Sequence, residues 1–442
     1  MARKNLNENE SPKKKSRKGI TPFTFLDNQF DEIDSQIAKR HILYLVLSCV
    51  AAKIIVAFVT VAVFHSFIDL FDIGIYFQHV TMLIQGQWPF AGEFQYPILI
   101  FIPLIIAVIP AILFQSVMAF VYTFQSVMVL CDIITIICIY LVGIRLWNER
   151  IAFHAGLIYA AAFSSAYFVI TKYDAFPASL LMLSILLTVY RREAKGYAVS
   201  VLGFFTKVFP VLALPFFILF NAKNQPSLKQ ELMKVAKVVI PLCAVLFLPL
   251  FVISPDTFRI YIPVRSELGY YSNTMTFTLY SWLHDVFNTG ISLDIISAVM
   301  YLGMIIGMLI LLYIAWTVPG KDPKTLVKLI LCAIVLVVIC AKVRSPQYIV
   351  WFTPLLCLLA IDDFKKIVAL FAYQTLAYIE FPLMFGTLYT AVTYTDPVLS
   401  YGWIITLIMF TLEYSALLIC LWLVVNPREL YKKMRMASGK SG

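Results

Sequence analysis

Residues 119–142 read AFVYTFQSVMVLCDIITIICIYLV, a run in which Asp132 is the one charged side chain. A helix of about 20 such residues crosses the hydrocarbon of a bilayer, so the stretch reads as a membrane span. Outward from it, similar runs recur at 41–67, 151–170, 175–190, 235–253, 291–316, 326–341, 348–361, 367–385 and 401–425. Composition agrees. Of 442 residues, 61% are hydrophobic and 14% charged, against roughly 45–50% and about 25% in an ordinary soluble domain. Mean hydropathy is +0.85. One soluble core cannot absorb that much apolar surface, because core size stops growing with chain length. A soluble enzyme, a secreted disulfide scaffold and a disordered chain are excluded. The pattern predicts an all-α polytopic membrane protein.

Lys and Arg number 35 against 25 Asp and Glu, a net charge of +10. Much of the excess lies at the ends, in Lys13, Lys14, Lys15, Arg17 and Lys18 and in Arg428, Lys432, Lys433 and Arg435. On a membrane protein such charge sets topology and meets anionic headgroups, so membrane lipids rather than nucleic acid are the expected contacts. The eight cysteines lie mostly in apolar runs with no C-x-x-C spacing, and read as small core residues. The chain divides into a basic polar tail (1–40), one membrane domain (41–425) and a second basic tail (426–442). The first tail is too long and polar for a cleavable signal peptide, so the first span reads as a permanent anchor.

Two apolar stretches need a topological decision. Residues 96–114 carry Pro97, Pro103 and Pro110, which make a poor continuous helix. Reading them as a short helix at or dipping into the membrane keeps the basic loop 145–150 on the cytoplasmic side, as short Lys- and Arg-rich loops prefer. Residues 196–220 lie between the basic loops 191–195 and 223–237, which requires an even number of crossings, most simply a hairpin of two short helices broken at 207–210. The cytoplasmic side then holds both termini and loops 145–150, 191–195, 223–237, 321–328 and 362–366. The outer side holds 66–96, 171–174, 254–290, 342–347 and 386–400. That division places the chemistry outside.

The first outer loop carries Asp69 and Asp72, three apart and able to share a helix face just beyond a span. A carboxylate at a partly desolvated interface suits a general base; two ordinary solvated aspartates are the plain alternative. Lys207 lies among apolar residues, where a lysine usually faces a cavity or an anionic partner. Lys342 and Arg344, at the outer end of a span, read either as cations snorkelling to headgroups or as partners of an anion. Cations converging near a carboxylate suit a phosphate leaving group. The loop 254–290, with Arg259, Tyr261, Arg265, Tyr270, Tyr271, Trp282 and His284, suits either sugar stacking or an interfacial aromatic belt. Lys172-Tyr173-Asp174 reads as a local ion pair or a pocket wall. Asp69 and Asp72 could hold a divalent ion, but two ligands are too few to assign a metal site, and the sequence specifies no certain cofactor.

In order along the chain, these stretches resemble the GT-C membrane glycosyltransferases. The likeness is carried by Asp72-Ile73-Gly74-Ile75-Tyr76, Gly86-Gln87-Trp88-Pro89-Phe90 and Tyr96-Pro97, then Cys131-Asp132, Lys172-Tyr173-Asp174-Ala175, Lys207-Val208-Phe209-Pro210, and Lys342-Val343-Arg344-Ser345-Pro346-Gln347-Tyr348-Ile349-Val350-Trp351. It covers roughly residues 60–355 and is greatest for glycosyltransferase family 87 and the polyprenyl-phosphate-mannose-dependent mannosyltransferases. The family's D-x-D pair is absent here, and its Y-H-x-x-R motif stands as Tyr261-Ile262-Pro263-Val264-Arg265.

The resemblance implies a bundle of about ten to twelve transmembrane helices with re-entrant or interfacial helices in the first outer loop. It implies inverting transfer of a hexose, mannose in much of the family, from a polyprenyl-phosphate carrier to a lipid, glycan or protein acceptor on the outer face. Asp72 would be the catalytic base. Lys207, Lys342, Arg344 and Arg265 would hold the donor phosphate, with Asp69, Tyr76, Tyr96, Asp174, Gln347 and Tyr348 around the substrate. The broken segments near Pro97–Pro110 and Pro210 would open a groove for the polyprenyl tail. The expected location is the cell membrane, or the endoplasmic reticulum membrane in a eukaryote. A secondary transporter and an inactive binder of polyprenyl-phosphate lipids are the alternatives.

Overall fold

The computed structural model describes residues 35–87, 96–223, 227–253, 271–318, 322–385 and 397–437. Nearly all of the polar tail 1–40 lies outside them, as do Arg265 and the rest of the 254–270 stretch of the long loop. The described residues are helical throughout, with no strand among them. In chain order the helices are α1 (Ser35–Phe58, continued by a π-helical turn Val59–Val63), α2 (Phe71–Ile84), α3 (Phe101–Phe114), α4 (Val117–Leu146), α5 (Glu149–Ala160), α6 (Phe163–Thr171), α7 (Ala175–Val189), α8 (Glu193–Phe204) and α9 (Leu214–Ala222). There follow α10 (Leu228–Ile253), α11 (Met275–Tyr280), α12 (Leu293–Thr317), α13 (Pro323–Cys340), α14 (Ile349–Ala360), α15 (Phe364–Tyr378), α16 (Tyr401–Val425) and α17 (Pro427–Ala437).

Six segments among the described residues are long and apolar enough to cross a membrane: Gln36–Val63, Val117–Leu146, Leu228–Val252, Leu293–Thr317, Pro323–Cys340 and Tyr401–Arg435. A seventh exists if α5 and α6, bent by 62° where they meet, form one broken span. Against an expected bundle of about ten to twelve transmembrane helices, the four other apolar segments, Ile98–Phe114, Ala175–Val189, Phe209–Ala222 and Pro346–Ala360, are shorter. At a rise of about 1.5 Å per residue they fall short of a hydrocarbon layer roughly 30 Å thick. α7 and α14 are almost wholly buried, as are two thirds of α13 and nearly half of α4. α10 and α12 lie at the periphery, with Ile240, Val245, Leu248, Val252, Leu302 and Leu309 exposed. Rows of exposed aliphatic side chains on long helices are surface that water would reject and lipid covers. The protein is an all-α polytopic membrane protein.

Two local expectations change. α3 is a continuous helix despite its prolines: Pro103 falls in the first turn, where no amide donor is needed, and the chain runs helically through Pro110. Its buried face, Leu104, Ala107, Val108 and Ala111, packs into one apolar cluster with Phe120, Phe124 and Met128 of α4. The helix break expected within 97–110 is therefore absent from α3. The C-terminal segment is not a free tail either. α17 is held by Lys433 to Asp322 at 2.7 Å and by Glu429 to the buried Lys328 at 2.8 Å.

The hairpin at 207–210 is present. α8 ends at Phe204, and the chain re-enters through a 3-10 turn (Phe209–Ala213) into α9. Gly203 makes the turn possible, since a Cβ there would stand 2.5 Å from Pro210 Cβ. Ser200 Oγ donates to the Pro210 carbonyl at 3.0 Å, and the Leu99 amide donates to the Phe205 carbonyl at 2.9 Å. Together these contacts fix the short segment that carries Lys207.

Side-chain pairs also sort the loops onto two ends. At one end Lys324 reaches Asp362 and lies 3.5 Å from the Trp147 ring centroid, and Lys234 pairs with Glu193. These contacts bring together the loops expected on one side. At the other end the first loop meets the turn at 171–174, and the Tyr271 amide donates to the Lys342 carbonyl at 3.3 Å.

Candidate functional site

The second end carries a cluster of five charged side chains. α2 begins just beyond the first span, and Asp72 occupies its first turn, where aligned amide dipoles favour a carboxylate. Asp69 Oδ1 accepts from the Phe71 amide at 3.0 Å and so fastens the helix start. The loop before it is held by Tyr167, whose hydroxyl donates to the Phe67 carbonyl at 3.0 Å and accepts from the Asp69 amide at 3.1 Å.

Lys172 closes α6 and bridges both aspartates, with Nζ 2.6 Å from Asp69 Oδ2 and 2.9 Å from Asp72 Oδ2. A cation at a helix C-terminus meets the negative end of the helix dipole, so the lysine is favoured there from two directions. Lys172 is 6% exposed and Asp72 17%, leaving the outer edge of Asp72 open to a reactant.

Two residues on, Asp174 begins α7 and is fully buried. Its Oδ1 accepts from Lys207 Nζ at 2.6 Å and from the Trp351 indole. Its Oδ2 has no hydrogen-bond partner. Three rings surround the Lys207 ammonium, with centroids 4.6 Å (Tyr173), 5.2 Å (Tyr348) and 5.1 Å (Trp351) away, a cation–π box. Trp351 is clamped in turn between Tyr348 at 3.8 Å and Phe209 at 4.4 Å. The charges of Asp72 and Lys172 both act on Lys207, so the two ion pairs form one electrostatic unit.

Behind the charges, Tyr76, Tyr96 and Tyr173 meet edge to face at 5.3–5.7 Å. Burial pushes all three phenols above their ordinary range, and the neighbouring Asp72 and Asp174 add to it, so they stand as neutral rings at neutral pH. The Tyr76 hydroxyl is buried without a hydrogen-bond partner. The arrangement brings carboxylates, amino groups and aromatic walls together in one largely buried cluster.

The sequence-nominated residues therefore divide. Asp69, Asp72, Tyr76, Tyr96, Asp174, Lys207 and Tyr348 are brought together. Gln347 is buried beside them in sequence and accepts from the Ser345 hydroxyl. Lys342 lies on the same segment, its carbonyl fixed by Tyr271. Arg344 has other partners: its guanidinium donates to Glu413 and to the Asn273 carbonyl at 3.2 Å, and it lies 3.4 Å from Glu380. Two carboxylates already compensate it, which leaves no charge for a donor phosphate. Arg265 lies outside the described residues. Lys172 and Tyr173, read in the sequence as an ion pair or pocket wall, and Trp351 join the cluster without an assigned role. Their signal was position: two adjoin Asp174, and Trp351 lies three residues after Tyr348. Among the described residues no group of three or more His, Cys, Asp or Glu gathers to hold a metal.

Fold and cluster together define the class, a multi-pass helical membrane protein with a cluster of ion pairs at one end. No protein-family model matches the chain, and no curated protein sequence matches it significantly.

Proposed function

We propose that this chain is an inverting glycosyltransferase that takes a hexose from a polyprenyl-phosphate carrier and works at the non-cytoplasmic face of its membrane. One observation carries the proposal. Stretches 69–76, 172–174, 207–210 and 348–351, far apart in sequence and each part of the resemblance to GT-C enzymes, meet in a single cluster of ion pairs.

In the proposed reaction the acceptor hydroxyl approaches Asp72 at its open edge. Asp72 takes the proton as the hydroxyl oxygen bonds to the anomeric carbon, and the bond from that carbon to the phosphate oxygen breaks with inversion. Lys172 holds the base directly, at 2.9 Å, and is itself held by Asp69. Lys207 has ammonium hydrogens beyond the one given to Asp174, and these meet the charge that grows on the departing polyprenyl phosphate. The aromatic box excludes water around that charge and strengthens each contact. Exposed aliphatic side chains on α3, Ile102, Ile105, Ile106 and Ile109, supply the lipid-facing wall on which a polyprenyl chain would lie.

Mass spectrometry of lipids that co-purify with the full-length chain tests the substrate class. Polyprenyl phosphate, free or carrying a hexose, enriched over the bulk membrane lipids is the expected result. Glycerophospholipids alone, in membranes shown to contain the carrier, would count against it.

A further inference from the structure

Arg344, displaced from the phosphate role, lies at the centre of a second buried cluster. Asn273 lies just ahead of α11, Arg344 on the segment between α13 and α14, Glu380 in the π-helical turn after α15 (Ile379–Leu383), and Glu413 midway along α16. Arg344, Glu380, Glu413 and Asn273 are each at least nine-tenths buried. Arg344 donates to Glu413 Oε1 and lies 3.4 Å from Glu380 Oε2, and Asn273 Nδ2 donates to Glu380 Oε1 at 3.0 Å. The other titratable groups facing the cluster are the phenols of Tyr373 and Tyr414, and the Tyr414 hydroxyl donates to the Asn273 carbonyl at 2.8 Å.

The charges do not balance. Two carboxylates share one guanidinium, and an uncompensated charge this deep is strongly disfavoured. The hydrogen bonds do not balance either. Glu380 Oε2 and Glu413 Oε2 are buried acceptors with no donor, although the two carboxyl groups lie within hydrogen-bonding reach of each other. Two ionised carboxylates repel at that distance. A single hydrogen placed between them removes both deficits at once.

We infer that the cluster is a proton-binding site, in which one proton shared by Glu380 and Glu413 leaves a single negative charge to pair with Arg344. A metal cation fits less well. It would stand against the Arg344 guanidinium, and no third carboxylate, His or Cys joins the pair among the described residues. The proton has a mechanical consequence. It neutralises the knot that fixes Arg344, and four residues on the chain enters Tyr348 of the aromatic box around Lys207. Glu380 and Glu413 are thus positioning residues, acting through the 342–348 segment.

Thermal unfolding of the purified full-length chain in detergent at neutral pH tests the inference. Arg344 donates to Glu413, so Glu380 is the partner to neutralise. Glu380→Gln should unfold within about 2 °C of wild type, because the glutamine amide supplies the missing donor. Glu380→Gln combined with Glu413→Gln should fall by about 10 °C or more, because Arg344 is then buried without a counter-charge. A Glu380→Gln variant as unstable as the double variant, or a double variant as stable as wild type, overturns the proposal. So does a wild-type unfolding temperature that rises with sodium at constant ionic strength, which would assign the site to a metal cation. If the variants do not fold, infrared spectra of wild type decide. A carboxylic-acid C=O stretch at neutral pH is expected, and its absence overturns the assignment.

Discussion

Asp72→Asn should abolish hexose transfer while the chain stays folded. Asparagine keeps the shape of the side chain and an oxygen for Lys172, but it cannot take a proton from an acceptor hydroxyl. Loss of a general base costs about 10²–10⁴-fold in rate, and that is the drop expected here. The fold should survive because Lys172 keeps Asp69 at 2.6 Å, so no buried cation is left alone. Asp69→Asn should cost less, since Asp69 Oδ1 is engaged by the Phe71 amide and serves to hold the helix start. Transfer rates and unfolding temperatures measured on the same preparations check both points. Asp72→Asn protein that transfers within tenfold of wild type would remove Asp72 from the chemistry.

Lys207→Met should destabilise the protein by about 3–5 kcal/mol, the usual cost of removing one partner from a buried ion pair. Asp174 is fully buried and would keep only the Trp351 indole as a donor. Adding Asp174→Asn to Lys207→Met should restore much of the stability, because no unpaired charge then remains. It should not restore transfer, because the cation that meets the departing phosphate is still missing. Stability in detergent and rate of transfer, read together, separate the structural role of the pair from its chemical one. A double variant that recovers both would leave Lys207 with a structural role alone.

The membrane class was legible from run length and charge, because hydrocarbon thickness acts on every span alike. The helix ends were less so. The bend of 62° between α5 and α6 falls at Ala161 and Ala162 with no proline or glycine to announce it. Conversely, Pro103 and Pro110 announce a break that does not occur, since one proline sits in a helix start and the interior of α3 is held by packing on α4. The C-terminal segment reads as a charged tail until Asp322 and Lys328 come near enough to pair with it, a tertiary fact.

At the site, residue types were easier to read than partners. Asp72, Asp174 and Lys207 are conspicuous for their charge beside apolar runs. Which cation meets which anion depends on how α2, α6, α7 and the 207–210 turn assemble, and that assembly assigned Lys172 to Asp72 and removed Arg344. Glu380 and Glu413 did leave a trace, as carboxylates inside the runs 367–385 and 401–425. An acidic residue at membrane depth implies a cationic partner, and the fold supplies Arg344. Lys53 and Asp132 are the same case, an intramembrane pair completed by Cys49 and Tyr159.

The most direct measurement places the full-length chain in proteoliposomes with a polyprenyl-phosphate hexose labelled in the sugar, then separates acceptor, carrier and lumenal contents. The expected result is label covalently joined to an acceptor, with one free polyprenyl phosphate released for each hexose transferred. Label that accumulates unaltered in the lumen, or donor that binds and is never consumed, would contradict transfer by this protein.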